Sequence, residues 1–182
     1  MEKETIQEIY EKLNQVNPVD FDCGKLCNEI CCIYDDEDYS NEDLAIYLLP
    51  GEEEVIQEDE NFEIEHVDAK KLKYPFSWKD GVYLLKCKNP PHCSREYRPM
   101  QCRTFPLIPH ITKNNEFHLI FDESEYPYEC PLIHDKIELN EDFIKRTYES
   151  WKRLIENPLI YDLVSMDSRK KDNRKTRYEI VI

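Results

Sequence analysis

The sequence predicts an α+β fold: a small single domain with N- and C-terminal helices, a small antiparallel sheet and a loop-rich cysteine cluster. Three observations carry this. Apolar residues recur at helical spacing over residues 2–16 and 140–156. Residues 62–67, 82–88 and 107–121 hold short apolar or alternating runs that read as strands. The helical and strand segments fall in separate blocks, without the β-α alternation of a parallel sheet. At 182 residues the chain can bury one real core. Residues 1–135 are read as a cysteine-cluster metal-binding domain with an N-terminal helix. Residues 136–182 are read as a helical extension packed on it, with a basic tail.

The first helix presents Ile6, Ile9, Tyr10, Leu13 and Val16 on one face, and Pro18 follows its end. Residues 23–32 read Cys-Gly-Lys-Leu-Cys-Asn-Glu-Ile-Cys-Cys. If this stretch is helical, Cys23, Cys27 and Cys31 lie along one face. Cys32 then points about 100° away, at ~3.6 residues per turn. Cys31 and Cys32 are therefore expected to serve different sites or different roles. The acidic run 35–43 reads as a solvated loop, since it lacks the spacing and central glycine of a calcium loop. Ser40 or Asn41 is a candidate cap for a short helix through Leu44, Ala45, Tyr47 and Leu48. Pro50-Gly51 ends it, and Glu52-Glu53-Glu54 suits a helix start, where carboxylates favour the dipole.

Residues 62–67 alternate as a strand, with His66 read as structural. A turn at Asp80-Gly81 leads into a second strand, 82–86, which delivers Cys87. Pro90 and Pro91 make the approach to Cys93 irregular. His92 is the histidine best placed to approach a metal there. Residues 107–112 and 116–121 flank Asn114-Asn115 as a hairpin. Residues 122–131 form a loop rich in Tyr and Pro that carries Cys130.

Asn140 is a candidate N-cap for a helix whose apolar face holds Phe143, Ile144, Tyr148, Trp151, Leu154 and Ile155. Asn157-Pro158 ends it and starts another helix through Leu163. Residues 169–177 hold six basic side chains in nine and no apolar face. They are expected to be a solvated end, so that truncation after Ser168 leaves stability nearly unchanged. Were the tail docked, residues 178–182 would anchor it as an added strand.

Composition excludes several functions. Residues 1–60 hold 19 acidic and 3 basic side chains, more than the whole chain's net charge of −15. Phosphate backbones repel such a chain, so nucleic acid is excluded as a partner. The three glycines, Gly24, Gly51 and Gly81, lie far apart, which leaves no phosphate loop or dinucleotide fingerprint. Scattered histidines and the absence of H-E-x-x-H or Ser-His-Asp patterns give acid–base catalysis no support. No apolar run is long enough to span a membrane, and the first residues lack the features of a signal peptide. A cytoplasmic location is expected.

The eight cysteines remain: Cys23, Cys27, Cys31, Cys32, Cys87, Cys93, Cys102 and Cys130. In a reducing compartment, clustered cysteines are metal ligands or reactive thiols more often than disulfides. Zinc and iron–sulfur sites both need soft donors converging on one point. Neither zinc-ribbon nor ferredoxin spacing is present. Eight thiols allow two four-thiolate sites, or one with the others structural or redox-active. Prolines flank Cys102 in Arg98-Pro99-Met100-Gln101-Cys102-Arg103-Thr104-Phe105-Pro106. The arginines there offset thiolate charge, pair with the acidic N-terminal third, or make surface salt bridges.

The order of these motifs resembles the zinc- or iron-chelating cysteine-cluster family, whose name motif is written C-x2-C-x2-C-C. The resemblance covers roughly residues 20–135 and rests on Cys23-x3-Cys27-x3-Cys31-Cys32, then Arg98-Pro99-x-x-Cys102-Arg103-x-Phe105-Pro106, then Cys130-Pro131. The stretch Leu48-Leu49-Pro50-Gly51-Glu52-Glu53 looks like the family's small-member form. The spacers here are one residue longer than in the name motif. The resemblance implies chelation of zinc or iron, including an iron–sulfur cluster, by the eight cysteines. One branch is similar to flagellin lysine N-methylase, which implies S-adenosylmethionine-dependent methyl transfer as an alternative. A metal-free thiol redox protein using Cys31-Cys32 is the third class. The partner implied is a metal ion, and the sequence identifies no protein partner.

Overall fold

Helix α1 (Lys3–Asn14) forms where the first amphipathic pattern lies, and it buries Ile6, Ile9, Tyr10 and Leu13. That face packs on helix α6 (Glu141–Leu154), which buries Phe143, Trp151 and Leu154. Each such large apolar side chain contributes roughly 1.5–3 kcal/mol on burial. The computed structural model describes residues 1–33, 45–56, 60–93, 95–121, 128–174 and 178–182. Between α1 and α6 the chain adds helices α2 (Gly24–Cys27), α3 (Ile30–Ile33), α4 (Met100–Thr104) and α5 (Pro131–His134). Helix α7 (Pro158–Arg174) follows α6. The α+β class is as read from the sequence, with helices at both ends and antiparallel strands between.

The strands divide between two small sheets. Strands β1 (Ala45–Tyr47), β2 (Phe62–Val67) and β3 (Val82–Cys87) pair antiparallel in the order β1-β3-β2. Cys87 ends β3 opposite Phe62. Strands β4 (Leu107–Ile111) and β5 (Phe117–Phe121) form the expected hairpin, with Leu107 opposite Phe121. Asn115 takes φ 66° in its turn, a conformation that asparagine tolerates.

Several local expectations are corrected. Ala45 and Tyr47 belong to β1, not to a helix, because pairing with β3 decides a short apolar run that periodicity leaves ambiguous. The acidic run 35–43, its proposed caps Ser40 and Asn41, and Leu44 lie outside the described residues. So do 122–127 of the Tyr/Pro loop and 175–177 of the tail. Residues 23–32 are not one helix but two single turns, α2 and α3, separated at Asn28 and Glu29, where φ is 52° and 58°. Asn140 makes no side-chain cap; its Nδ2 donates to Asp20 Oδ1 at 3.1 Å and its backbone N–H to Pro18 O at 2.8 Å.

The C-terminal end is docked. Helix α7 runs past Leu163 to Arg174 and packs on β4. Residues 178–182 then add to β5: Val181 N–H donates to Leu119 O at 2.9 Å, and Leu119 N–H donates to Ile182 O at 3.0 Å. The Tyr178 ring lies 4.5 Å from the ring of His110, and its hydroxyl donates to Asp172 at 3.2 Å. The added strand is thus the form the tail takes, and truncation after Ser168 removes structure. Among the described residues, no helix is long and apolar enough to cross a membrane.

Candidate metal centre

Helix α4 carries Cys102, and the chain spends buried polar groups on holding that short helix. Pro99 at its start offers no side-chain cap. The carboxylate of Glu52 takes that place, accepting the Met100 N–H at 2.7 Å. The Tyr10 hydroxyl donates to that same oxygen, and the other oxygen accepts the Leu49 N–H at 2.7 Å. Glu52 is 1% exposed. Burial pushes its pKa up, while the donated bonds and nearby Arg103 pull against that rise. Gly51 before it has φ 99°, and a Cβ there would meet Met1 O at 2.7 Å. A short 3-10 helix does start at Glu52–Glu54, but the Glu52 side chain turns inward to hold α4.

Arg103 belongs to the same scaffold. It is buried, and its guanidinium lies 3.7 Å from the centre of the Tyr10 ring. It donates to the carbonyls of Arg98 and Glu96 and to the side chain of Asn14. The loop entering α4 is thereby tied to α1. Arg95 adds two more ties, to Val16 O and the Asn17 side chain. On the far side of α4, Thr104 Oγ1 accepts from Trp151 Nε1 at 3.3 Å.

Arg98 turns the other way. Desolvation weighs against its charge, but a hydrogen bond with Cys93 and the charges of Cys93, Asp22 and Cys32 outweigh it and hold its pKa up. Of the readings for the motif arginines, thiolate neighbour describes Arg98, while Arg103 is a buried brace whose charge is felt by Glu52 of the acidic first third.

The thiols of the two distant stretches come within electrostatic reach of one another. Cys102 interacts with Cys32, Cys87 and Cys93, and Cys31 interacts with Cys102. Cys87 senses Cys93 and Cys32. A second group comprises Cys23, Cys27 and Cys130. Cys31 also senses Cys23, so the two groups adjoin. The break at Asn28–Glu29 separates Cys23 and Cys27 from Cys31 and Cys32 and sends the pairs to different neighbours. Tyr128 lies near both groups, its pKa raised by burial and then by Cys31, Cys130, Cys102 and Cys32. His92 is exposed.

Cys31 and Cys32 are closer than their helical step suggested: the sulfurs are 4.0 Å apart. A 100° difference in direction does not keep two one-carbon side chains apart. Hydrogen bonding between them pushes one thiol up and the other down, and Arg98 selects Cys32 as the one that ionises more readily. Burial pushes Cys23 and Cys87 up to about 11, with neighbouring Asp22 and thiols adding to the rise. Cys102 is raised too, first by crowding and then by Cys32, although solvent still reaches its surface. All eight cysteines are free.

These thiols are neighbours without being a finished ligand set. Among the described residues, no group of three or more His, Cys, Asp or Glu side chains is already placed to hold a metal ion. Tyr128 was not singled out in the sequence, and Glu52 was read only as part of a helix start; the signal for its buried role was a carboxylate directly after Leu48-Leu49-Pro50-Gly51, where an apolar stretch turns. Compared with known proteins, the chain matches no family model, no curated protein and no solved structure.

Proposed function

We propose that this protein binds zinc or iron, the latter alone or as an iron–sulfur cluster, through thiolates of both cysteine stretches. The family resemblance of the motifs points the same way. The observation that carries the reading is the gathering of Cys31, Cys32, Cys87, Cys93 and Cys102 beside Arg98. Soft donors of this kind suit both metals. Two thiolates on one tetrahedral zinc, each at ~2.3 Å, stand about 3.8 Å apart. Cys31 and Cys32 are 4.0 Å apart, which fits two ligands of one ion. The other thiols have to close in. Their raised pKa values express mutual repulsion and desolvation of the thiolate form, which a divalent cation reverses. Arg98 offsets part of the remaining negative charge. Cys23, Cys27 and Cys130 supply the other ligands or a second site.

The role is structural, storage or delivery. Anaerobic purification followed by metal analysis and a visible spectrum tests it. Bound zinc with no colour supports a structural module. A brown protein absorbing near ~400 nm supports an iron–sulfur centre, the precondition of the methyl-transfer alternative. A chain that takes up neither metal, purified or reconstituted, overturns the reading.

The 4.0 Å approach of Cys31 to Cys32 favours one second reading, a metal-free thiol redox protein. Oxidation would join these two sulfurs and release two protons and two electrons to an oxidant such as a partner's disulfide. Mass spectrometry of the protein after exposure to oxidised glutathione tests it: a Cys31–Cys32 bond that dithiothreitol reverses supports it, and its absence sinks it.

A further inference from the structure

Beside α4 lies a cleft of about 300 Å³ between that helix, β4, α6 and α7. This is the small end of the range for cavities that hold small molecules. Phe105, Trp151 and Leu163 give it an apolar wall. Its rim is cationic. Lys170, Lys171 and Arg174 line it, with Asp167 the one carboxylate among the described lining residues, paired with Lys170 at 3.0 Å. The three cations follow from their spacing on α7, where positions i, i+1 and i+4 share one side of a helix. Three cations thus line one cleft of a chain whose net charge is −15. Asp172, between Lys171 and Arg174 in sequence, lies beside His110 and accepts from Tyr178 and does not line the cleft.

The geometry points to a binding site for a small organic anion: a flat apolar body against Phe105 and Trp151, with a carboxylate, sulfonate or phosphate held by the α7 cations. Size and charge select this class together. The apolar wall gives a bare inorganic anion nothing to bury, and the rim gives a neutral apolar molecule no partner for its cations. The site stands independently of metal binding, since none of its residues is a thiol.

The test uses two dyes on the full chain. One is 8-anilinonaphthalene-1-sulfonate, and the other is its neutral relative N-phenyl-1-naphthylamine. The sulfonate is expected to bind saturably, one per chain, with energy transfer from Trp151. Lys171→Glu with Arg174→Glu should weaken it by about tenfold or more, the factor one charge-assisted contact carries. The neutral dye should change by less than about twofold, and Lys113→Glu on the hairpin turn should leave both dyes alike. Lys171→Gln with Arg174→Gln repeats the test without charge reversal and should weaken the sulfonate in the same direction. Non-saturable binding of the sulfonate overturns the site. Equal losses for both dyes, or an equal loss with Lys113→Glu, also overturn it, because they assign the effect to general packing or overall charge.

Discussion

The two cysteine-bearing stretches are built in opposite ways. Around Cys102 the backbone is braced: Glu52 holds the start of α4, Arg103 ties the entering loop to α1, and Tyr10 touches both. Around Cys23–Cys32 the chain makes two one-turn helices joined through residues with positive φ. Four-residue helices have almost no internal hydrogen bonding to stabilise them. One side is therefore formed before any ligand arrives, and the other can adjust to it. That division suits a site whose thiols lie near one another without an assembled ligand set. Metal binding would do its ordering on the α2–α3 side.

The largest expected effect tests the braced side. Arg103→Ala removes donors to two buried carbonyls and to Asn14, and it leaves Glu52 without its neighbouring cation. Breaking a buried charged network this way costs about 3–5 kcal/mol. Urea unfolding of the metal-free protein should show it. Arg103→Lys should restore only part, because an ammonium cannot reproduce the guanidinium fork. A loss no greater than that of a surface change such as Lys25→Ala would mean the brace is not what holds α4.

The next effect separates the stretches by metal. Cys102→Ser and Cys27→Ser should both lower the metal bound per chain. If each weakens binding about a hundredfold, the loaded protein loses ~2.7 kcal/mol at the metal concentration that saturates the native chain. Without metal, both should melt within a degree or two of the parent, since neither thiol is part of the brace. Full metal content in Cys102→Ser would remove that residue from the site. A metal-free melting loss confined to Cys102→Ser would assign it to packing instead.

Legibility in the sequence followed the same line. Amphipathic patterns over α1 and α6 and the hairpin of β4 and β5 were readable because each is local and long enough to show its period. The three-residue β1 was not, since only its pairing with β3 makes Ala45–Tyr47 a strand. At the site, residue types pointed to the thiols, but the motif arginines looked alike. Only the tertiary structure separates Arg98, turned to Cys93, from Arg103, buried over Tyr10. The buried role of Glu52 escaped notice because a carboxylate run at a helix start gives no sign of its distant donor, Met100 N–H, or of the turn that brings Leu49 N–H to it.

The adjustable side has its own, smaller test. Asn28 sits in the left-handed region at φ 52°, ψ 42°. A β-branched residue there costs about 1–2 kcal/mol, whereas glycine is free to adopt it. Asn28→Val should lower stability by roughly that amount and weaken metal binding with it. Asn28→Gly should keep both near the parent. If Asn28→Val binds metal as well as the parent does, the bend between Cys27 and Cys31 is not needed for the site.

The smallest effect lies on the braced side, in the sheet behind α4. His110 on β4 is fully covered, and among the described residues neither ring nitrogen has a hydrogen-bond partner. Tyr178 of the docked end packs on it, with Asp172 beside it at 3.5 Å from Nε2. Desolvation lowers the His110 pKa; Asp172 raises it somewhat, and His118 and Lys171 lower it further. The unfolded chain, with an ordinary imidazole near ~6.5, therefore takes up a proton before the folded one does. Stability that is intact above about pH 6.5 is lost as pH falls through that value, until the folded imidazole also protonates. His134 has the opposite sign, its pKa raised by Asp135, so the difference between variants is the useful quantity. Melting temperature followed from pH 8 to 5.5 should fall less steeply for His110→Phe than for the parent. Deleting residues 178–182 should flatten it as well, because it opens His110 to water, while lowering stability at every pH. A slope unchanged by either variant would mean that His110 is already solvated in the folded protein and that the C-terminal strand does not seal it.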